Sequence, residues 1–318
     1  MIEVKNLKKH FIAKNSMLGD EKELVHAVNG IDFQIHQGKT LGLVGESGSG
    51  KSTTGRLVLR LLEPSSGSIY LDGRDISTIS NRDFRKLRKE LQMVFQNPYS
   101  ALDYKMTIED ILVQPLQIHK IVQPLEYRKE VYRLLDLVGL DKGSARKFPH
   151  EFSGGQRQRI GIARALSTKP RFIVCDEPVS ALDVSVQSQI LNLTMDLQKE
   201  FGLSYLFIAH DLHVIRHVSD DVAVMYLGKI VENGTAGKIF KSPRHPYTKA
   251  LLAAVPGQKE RVSEDRRRLH GEIPSAIRMP AGCAFHTRCP YAMKICSEEI
   301  PILKNHEGRE VACHLYGR

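Results

Sequence analysis

Eight consecutive residues, Gly45-Glu46-Ser47-Gly48-Ser49-Gly50-Lys51-Ser52, fit the pattern G-x-x-x-x-G-K-[ST] at every fixed position, and Thr53 follows. Glycines there let the backbone curl so that successive N–H groups face one point, which suits a polyphosphate. A helix starting at this turn adds a favourable N-terminal dipole. Lys51 is then placed to reach β- and γ-phosphates, and the Ser52 hydroxyl to bind Mg²⁺. The bland alternative is a Gly-rich turn that caps a helix. The flanking pattern argues against it: Leu41-Gly42-Leu43-Val44 is a strand-like apolar run, and Thr53 to Leu62 has helical apolar spacing.

A second group of residues complements the first. Phe172-Ile173-Val174-Cys175 is a buried-strand run that stops at Asp176-Glu177. Carboxylates at the C-terminal end of a strand lie where open α/β sheets bind ligands. Asp176 is expected to hold Mg²⁺ through water, and Glu177 to orient or deprotonate an attacking water. Ser153-Gly154-Gly155-Gln156 precedes the helical run Arg159 to Leu166. It offers a second helix N-terminus with free N–H groups. Two readings stand: a simple cap, or a phosphate cradle for a nucleotide held by another subunit.

The elements that must position these groups follow from periodicity. Residues 2 to 12 and 24 to 44 hold strand-like runs separated by the polar stretch Lys14 to Glu23, which reads as a loop. From Ser80 to Gly139 the apolar spacing is mostly helical, including Leu87, Leu91 and Val94. Ser185 to Phe201 is helical, and Tyr205 to Ala209 and Val222 to Leu227 read as strands. Alternating strands and helices predict an α/β core with a mostly parallel sheet, interrupted by a helical insert. After about Phe240 the composition changes: Pro243, Pro246 and Pro256 surround an amphipathic stretch, Tyr247 to Val255, and the charged run Lys259 to Arg268 follows.

The chain has 318 residues, enough for one large domain or two moderate ones. At 42% hydrophobic and 26% charged residues, it has the composition of a globular protein. Its formal charge of +10 admits nucleic acid, anionic lipid or phosphate ligands. The basic residues are scattered, with Arg266 to Arg268 the one compact triplet, so a solvated face is expected and no nucleic-acid partner. No apolar run approaches the ~20 residues of a membrane span, and the first residues lack a signal-peptide pattern. A cytosolic protein, or one held at a membrane surface by other proteins, is expected.

Four of the five cysteines lie in the tail: Cys283, Cys289, Cys296 and Cys313. In a reducing compartment such a group points to metal before disulfides. The gaps are not the short knuckles of structural zinc. Four thiolates suit a [4Fe–4S] cluster. A Cys₄ zinc site, with His286 or His314 as substitutes, and free thiols remain open. Cys175 is expected to be a small buried hydrophobe.

Taken in order, these motifs resemble those of the ATP-binding subunits of ABC transporters, over about residues 2 to 256. The resemblance implies an ABC-type fold of the α/β class: a RecA-like parallel core, an antiparallel β portion and a helical subdomain at about 80–165, all within 1–256. A cysteine-bearing extension occupies 257–318. It implies that Gly45, Glu46, Ser47, Gly48, Ser49, Gly50, Lys51, Ser52 and Thr53 bind ATP, with Ser52, Gln96 and Asp176 on Mg²⁺. Glu177 would be the catalytic glutamate and His210 the γ-phosphate switch, with Gln96 and Lys51 assisting. Ser153, Gly154, Gly155 and Gln156 would form the signature for the partner's ATP, preceded by Phe152 where many members carry leucine. Asp183 would belong to the D-loop. Phe11 falls where the family stacks an aromatic on adenine, although it reads equally as core.

Further segments resemble the oligopeptide, dipeptide and nickel importers: the long Lys14 to Glu23 loop, Asn97 to Leu102, Pro149 to Ser153, His245 to Leu251 and Cys283 to Ala292. With Val25 to Gly30 and Phe152 to Ile160, the chain looks most like their second, F-type ATPase. This implies a heterodimer with a D-type ATPase, two permeases, an external peptide-binding protein, a [4Fe–4S] cluster on the tail cysteines, and a place at the cytoplasmic face of the membrane. A nickel or other solute importer is the alternative within that group. A soluble ABC ATPase acting on nucleic acid or the ribosome is the alternative outside it, disfavoured by a single cassette and no coiled coil.

Overall fold

A computed structural model of the chain describes residues 1–13, 23–254 and 271–316. Residues 14–22 of the expected loop, the run Lys259 to Arg268 with its arginine triplet, and the expected boundary at 256/257 lie outside the described residues.

The elements in chain order are β1 (Ile2–Ile12), β2 (Leu24–Ile35), β3 (Thr40–Val44), α1 (Lys51–Val58), β4 (Ser66–Leu71), β5 (Arg74–Asp75), α2 (Asn81–Leu87), β6 (Leu91–Val94) and α3 (Pro98–Ala101). Next come α4 (Ile108–His119), α5 (Tyr127–Leu137), α6 (Gly154–Leu166), β7 (Phe172–Asp176), α7 (Val184–Phe201), β8 (Ser204–Ile208), α8 (Leu212–Val218) and β9 (Asp221–Tyr226). The chain continues through β10 (Lys229–Thr235), α9 (Ala236–Lys241), α10 (Pro246–Ala253), α11 (Lys294–Glu298), β11 (Lys304–Asn305) and β12 (Glu310–Val311). They fall into two compact units. One draws on 1–36, 40–78 and 209–318, the other on 37–39 and 79–208.

In the first unit β2, β1, β4 and β5 form an antiparallel sheet. Strand β3 pairs in parallel with β9, from Leu41 opposite Asp221 to Val44 opposite Val224. Strand β9 continues antiparallel into β10, and β10 into β12. The described part of the cysteine tail is therefore joined to this unit by strand pairing. All five residues of β3 are buried, as expected of a strand covered on both faces. Its start is clasped twice: Thr40 N–H donates to the Asp220 carboxylate at 2.9 Å, and Asp220 N–H to the Thr40 carbonyl at 3.0 Å. That clasp fixes the start of β3 beside β9, five residues before the Gly-rich turn.

In the second unit β6, β7 and β8 are parallel. Here the structure corrects one expectation. Leu87, Leu91 and Val94 do not share a helix: α2 ends at Leu87, and Leu91 to Val94 form β6. The cause is local and tertiary together. The Ser80 hydroxyl accepts from Asp83 N–H and opens a short helix, and the four residues Leu91-Gln92-Met93-Val94 find their partner in β7. A short apolar run cannot be assigned by periodicity alone. Helices α4 and α5 occupy the rest of the expected insert. Among the described residues no helix is long and apolar enough to cross a membrane.

Candidate nucleotide site

The Gly-rich turn leaves β3 at Gly45 and enters α1 at Lys51. A side chain at Gly45 would strike the Met225 carbonyl oxygen, and one at Gly50 that of Ala27. Gly50 also has φ 105°, a conformation that favours glycine. Gly48, at φ 77°, faces open space. The first turn of α1 has neither a side-chain cap nor an acidic residue, so its N–H groups suit an anion. Lys51 is buried and donates to the carbonyls of Gly45 at 2.8 Å and Glu46 at 2.9 Å. Ser49 Oγ is buried without a hydrogen-bond partner. An orphan hydroxyl in such a turn fits a site that takes a polar ligand.

Glu46 is held from both sides. Its N–H donates to Tyr247 Oη at 2.9 Å. Its carboxylate accepts a forked pair from Arg288, at 2.8 and 3.1 Å. Arg288 also reaches Tyr226 Oη at 3.4 Å, and the Glu46 carboxylate strengthens its hold on its proton. Burial pushes the Tyr247 phenol up. Sequence reasoning missed Arg288, Tyr226 and Tyr247. Arg288 and Tyr247 lie in segments noted for resemblance, but nothing in their spacing ties them to a turn about 200 residues away.

Also in this unit, His210 is exposed between β8 and α8, and its neighbour Ala209 donates to the Leu43 carbonyl at 3.3 Å. Phe11 is 37% exposed on β1, with Lys9 Nζ 5.2 Å from the ring centre. It is not a core residue.

The second unit assembles the carboxylates. The β6–β7 register places Val94 opposite Cys175, so Gln96 emerges beside the end of β7. Gln96 Nε2 donates to Glu177 Oε2 at 3.0 Å. Glu177 has φ 47°, in the left-handed region. Its N–H donates to the Ile208 carbonyl at 2.9 Å, and its carbonyl accepts from Ser180 Oγ at 3.1 Å. These bonds hold a conformation that costs an ordinary residue about 1–2 kcal/mol. Asp176 is buried. Burial keeps the Cys175 thiol protonated, as befits a small apolar filler.

Ser153 caps α6. Its hydroxyl accepts from Gln156 N–H at 3.3 Å, and Gln156 Oε1 accepts from Ser153 N–H at 3.0 Å. The reciprocal pair is a capping box. Gly155 lets α6 approach α7, because a side chain there would strike Val186. Asp183 is exposed at the start of α7, with no side-chain cap bond. Phe152 is buried.

None of the four tail cysteines is in a disulfide. Cys283 N–H donates to the Cys296 carbonyl at 2.8 Å. Burial raises the thiols of Cys283 and Cys289 and pushes Cys313 up to about 11. The charges of Cys283, Cys289 and Cys296 raise Cys313 further. Among the described residues no three His, Cys, Asp or Glu side chains are arranged to hold a single metal ion.

Residues 28–180 match the family model described as ABC transporter, and residues 231–296 the one described as oligopeptide/dipeptide transporter, C-terminal region. The chain is 49% identical over 320 residues to the putative oligopeptide transport ATP-binding protein YkfD of Bacillus subtilis, covering 99% of this chain and 95% of that protein. It is 46% identical to the dipeptide transport ATP-binding protein DppF of Escherichia coli, covering 98% and 93%. Among solved structures it resembles a dimeric post-hydrolysis ATP-binding cassette bound to ADP and Pi, with TM-score 0.64 and 26% identity over 74% of this chain and 99% of that one. It also resembles cbiO1 of Clostridium perfringens, part of the cbiONQ complex, with TM-score 0.65 and 29% identity over 76% and 90%.

Proposed function

Since this chain belongs to the ABC transporter family, among its oligopeptide and dipeptide transport ATP-binding proteins, we propose that it hydrolyses ATP to power import of di- or oligopeptides across the cytoplasmic membrane. The observation that carries the reading is the turn at Gly45 to Ser52. It sits between a buried strand and an uncapped helix, with Lys51 tucked onto two of its carbonyls and Ser49 Oγ unpartnered.

Roles follow residue by residue. Gly45 to Thr53 wrap the phosphates, and Lys51 exchanges its two carbonyls for phosphate oxygens. Mg²⁺ takes oxygen donors, which Ser52, Gln96 and Asp176 supply. Glu177 accepts the proton of the attacking water while Gln96 holds its carboxylate. His210 contacts the γ-phosphate, and exposed Phe11 stacks on the base. Ser153, Gly154, Gly155 and Gln156 present the start of α6 to a nucleotide held by a second, D-type ATPase, with Asp183 at that same interface. The domain limits proposed are 1–256 for the ATPase, with a helical subdomain at about 80–165, and 257–318 for the extension. Two permeases and an external peptide-binding protein complete the assembly, and this subunit sits peripherally on the cytoplasmic face.

The four thiols also support a [4Fe–4S] cluster on Cys283, Cys289, Cys296 and Cys313. Such clusters take four cysteine thiolates, and the support is the residue type and number in the tail, since no group of three metal-ligating side chains is assembled among the described residues. Iron with acid-labile sulfide in anaerobically purified protein is the expected result; zinc alone would overturn it.

Uptake of labelled di-, tri- and pentapeptides by cells carrying the chain as wild type or Glu177→Gln tests the main reading. Loss of one size class is expected. Normal peptide entry with lost nickel or sugar uptake would transfer the function to another solute.

A further inference from the structure

The contact between the phosphate turn and the cysteine tail has no place in the roles assigned so far. Glu46 stands second in the turn, and its carboxylate is gripped by Arg288, which is 242 positions further along the chain. The Arg288 side chain is 6% exposed and that of Glu46 23%. A forked, charge-assisted pair with this little solvent is a specific restraint, unlike an exposed ion pair.

Arg288 is itself fixed by the tail. Its N–H donates to the Phe285 carbonyl at 3.0 Å, in a turn that opens with His286 N–H on the Cys283 carbonyl at 2.9 Å and closes with Cys289 N–H on the His286 carbonyl at 3.3 Å. Phe285 packs against Tyr226 and Tyr247, with ring centres 5.3 and 5.4 Å apart. Tyr247 then holds the Glu46 N–H. The tail therefore touches the turn through a guanidinium and, by way of Phe285, through a phenol.

We propose that Arg288 is a positioning residue for the phosphate turn, so that the affinity for ATP depends on the C-terminal cysteine segment. The inference rests on the nucleotide role proposed above. Two physical consequences support it. First, Lys51 braces the turn through the Gly45 and Glu46 carbonyls. When it turns to phosphate those braces are lost, and Arg288 with Tyr247 remains to keep the turn open. Second, Glu46 is an anion in a turn meant for anions. Without Arg288 its charge stands unpaired in the turn proposed to take a polyphosphate, where like charges repel.

The test uses the purified transporter complex, with this chain as wild type, Arg288→Ala, Arg288→Lys and the double variant Glu46→Gln/Arg288→Ala. The readouts are KM for ATP, kcat and the melting temperature. Arg288→Ala should raise KM about 10-fold, the effect of losing one such restraint, while kcat changes by less than about twofold. Arg288→Lys should fall between, because an ammonium cannot make the fork. The double variant should recover part of the lost affinity, because no unpaired anion remains. An unchanged KM in Arg288→Ala overturns the proposal, as does a fall in kcat alone, or a double variant no better than the single one. If Arg288→Ala does not fold, the lysine and double variants decide the matter by the same ordering. Failure of the wild type to hydrolyse ATP would instead sink the function proposed above, which separates the two.

Discussion

Gln96 and Glu177 lie 81 positions apart in the chain, yet Gln96 Nε2 donates to Glu177 Oε2 at 3.0 Å. The parallel register of β6 on β7 brings them together. Bonds to Ile208 and Ser180 fix the Glu177 backbone, and Gln96 orients its carboxylate.

That geometry separates two variants. Glu177→Gln can still accept from Gln96 but cannot take a proton. Its kcat should fall by at least about 10²-fold, the scale of general-base catalysis, with ATP binding retained. Gln96→Glu puts two carboxylates side by side, where like charges repel, and should reduce kcat more than Gln96→Ala does. Steady-state ATPase assays with nucleotide-binding titrations check both. An Ala variant worse than the Glu variant would mean that the side-chain oxygen of Gln96, which Glu keeps, matters more than its amide N–H.

Gly155 has a packing role that stands apart from any nucleotide. Its Cβ would meet Val186 on α7, so Gly155→Ala should destabilise the chain by about 1–3 kcal/mol, as overpacking does. Adding Val186→Ala should restore most of the loss. Thermal melts of the two variants decide it: an uncorrected loss would place the cause in the backbone of α6.

How much of this was legible in the sequence depends on the distance over which each feature is determined. The Gly45 to Ser52 turn, the strand before Asp176 and the capping signal at Ser153 are local patterns, and they appear where the residue types place them. Leu91 to Val94 read as helix because strand pairing with β7 is a tertiary fact. The exposure of Phe11 could not be read, since the strand pattern Ile2 to Ile12 leaves both faces possible at its end. The grip of Arg288 on Glu46 is the extreme case. Two ordinary charged residues carry no mark of each other across more than 200 positions.

His245 gives a pH dependence. It is buried beside Lys249, and burial first, then that cation, pushes it down to about 3 from the ordinary 6.5. Its Nδ1 accepts from Tyr247 N–H at 3.1 Å, and the His245 backbone N–H donates to the buried Glu232 at 2.9 Å. Between pH 6.5 and about 3 the unfolded chain holds a proton that the folded chain refuses. Stability is therefore full above pH 6.5 and falls as pH drops, approaching about 1.4 kcal/mol per pH unit. His245→Asn keeps a helix-capping acceptor and removes the titration. Melting temperatures at neutral and mildly acidic pH should then fall less in the variant than in the wild type. Equal falls would exonerate His245.

The two glycines of the turn make the last contrast. Gly48 and Gly50 both have positive φ, 77° and 105°, but their surroundings differ. A methyl at Gly48 meets nothing within 4 Å, whereas at Gly50 it meets the Ala27 carbonyl, a backbone group that cannot swing aside. Gly48→Ala then costs only the left-handed conformation, about 1–2 kcal/mol. It should fold with a slightly lower melting temperature and bind ATP more weakly, because the methyl would enter the open space proposed for phosphate. Gly50→Ala must displace either β2 or the start of α1. It should lose ATP binding outright, with a melting temperature well below that of Gly48→Ala. Comparable melting temperatures and equal ATP affinities would mean that the turn relaxes freely, and that the cradle is shaped by its ligand rather than by the strands around it.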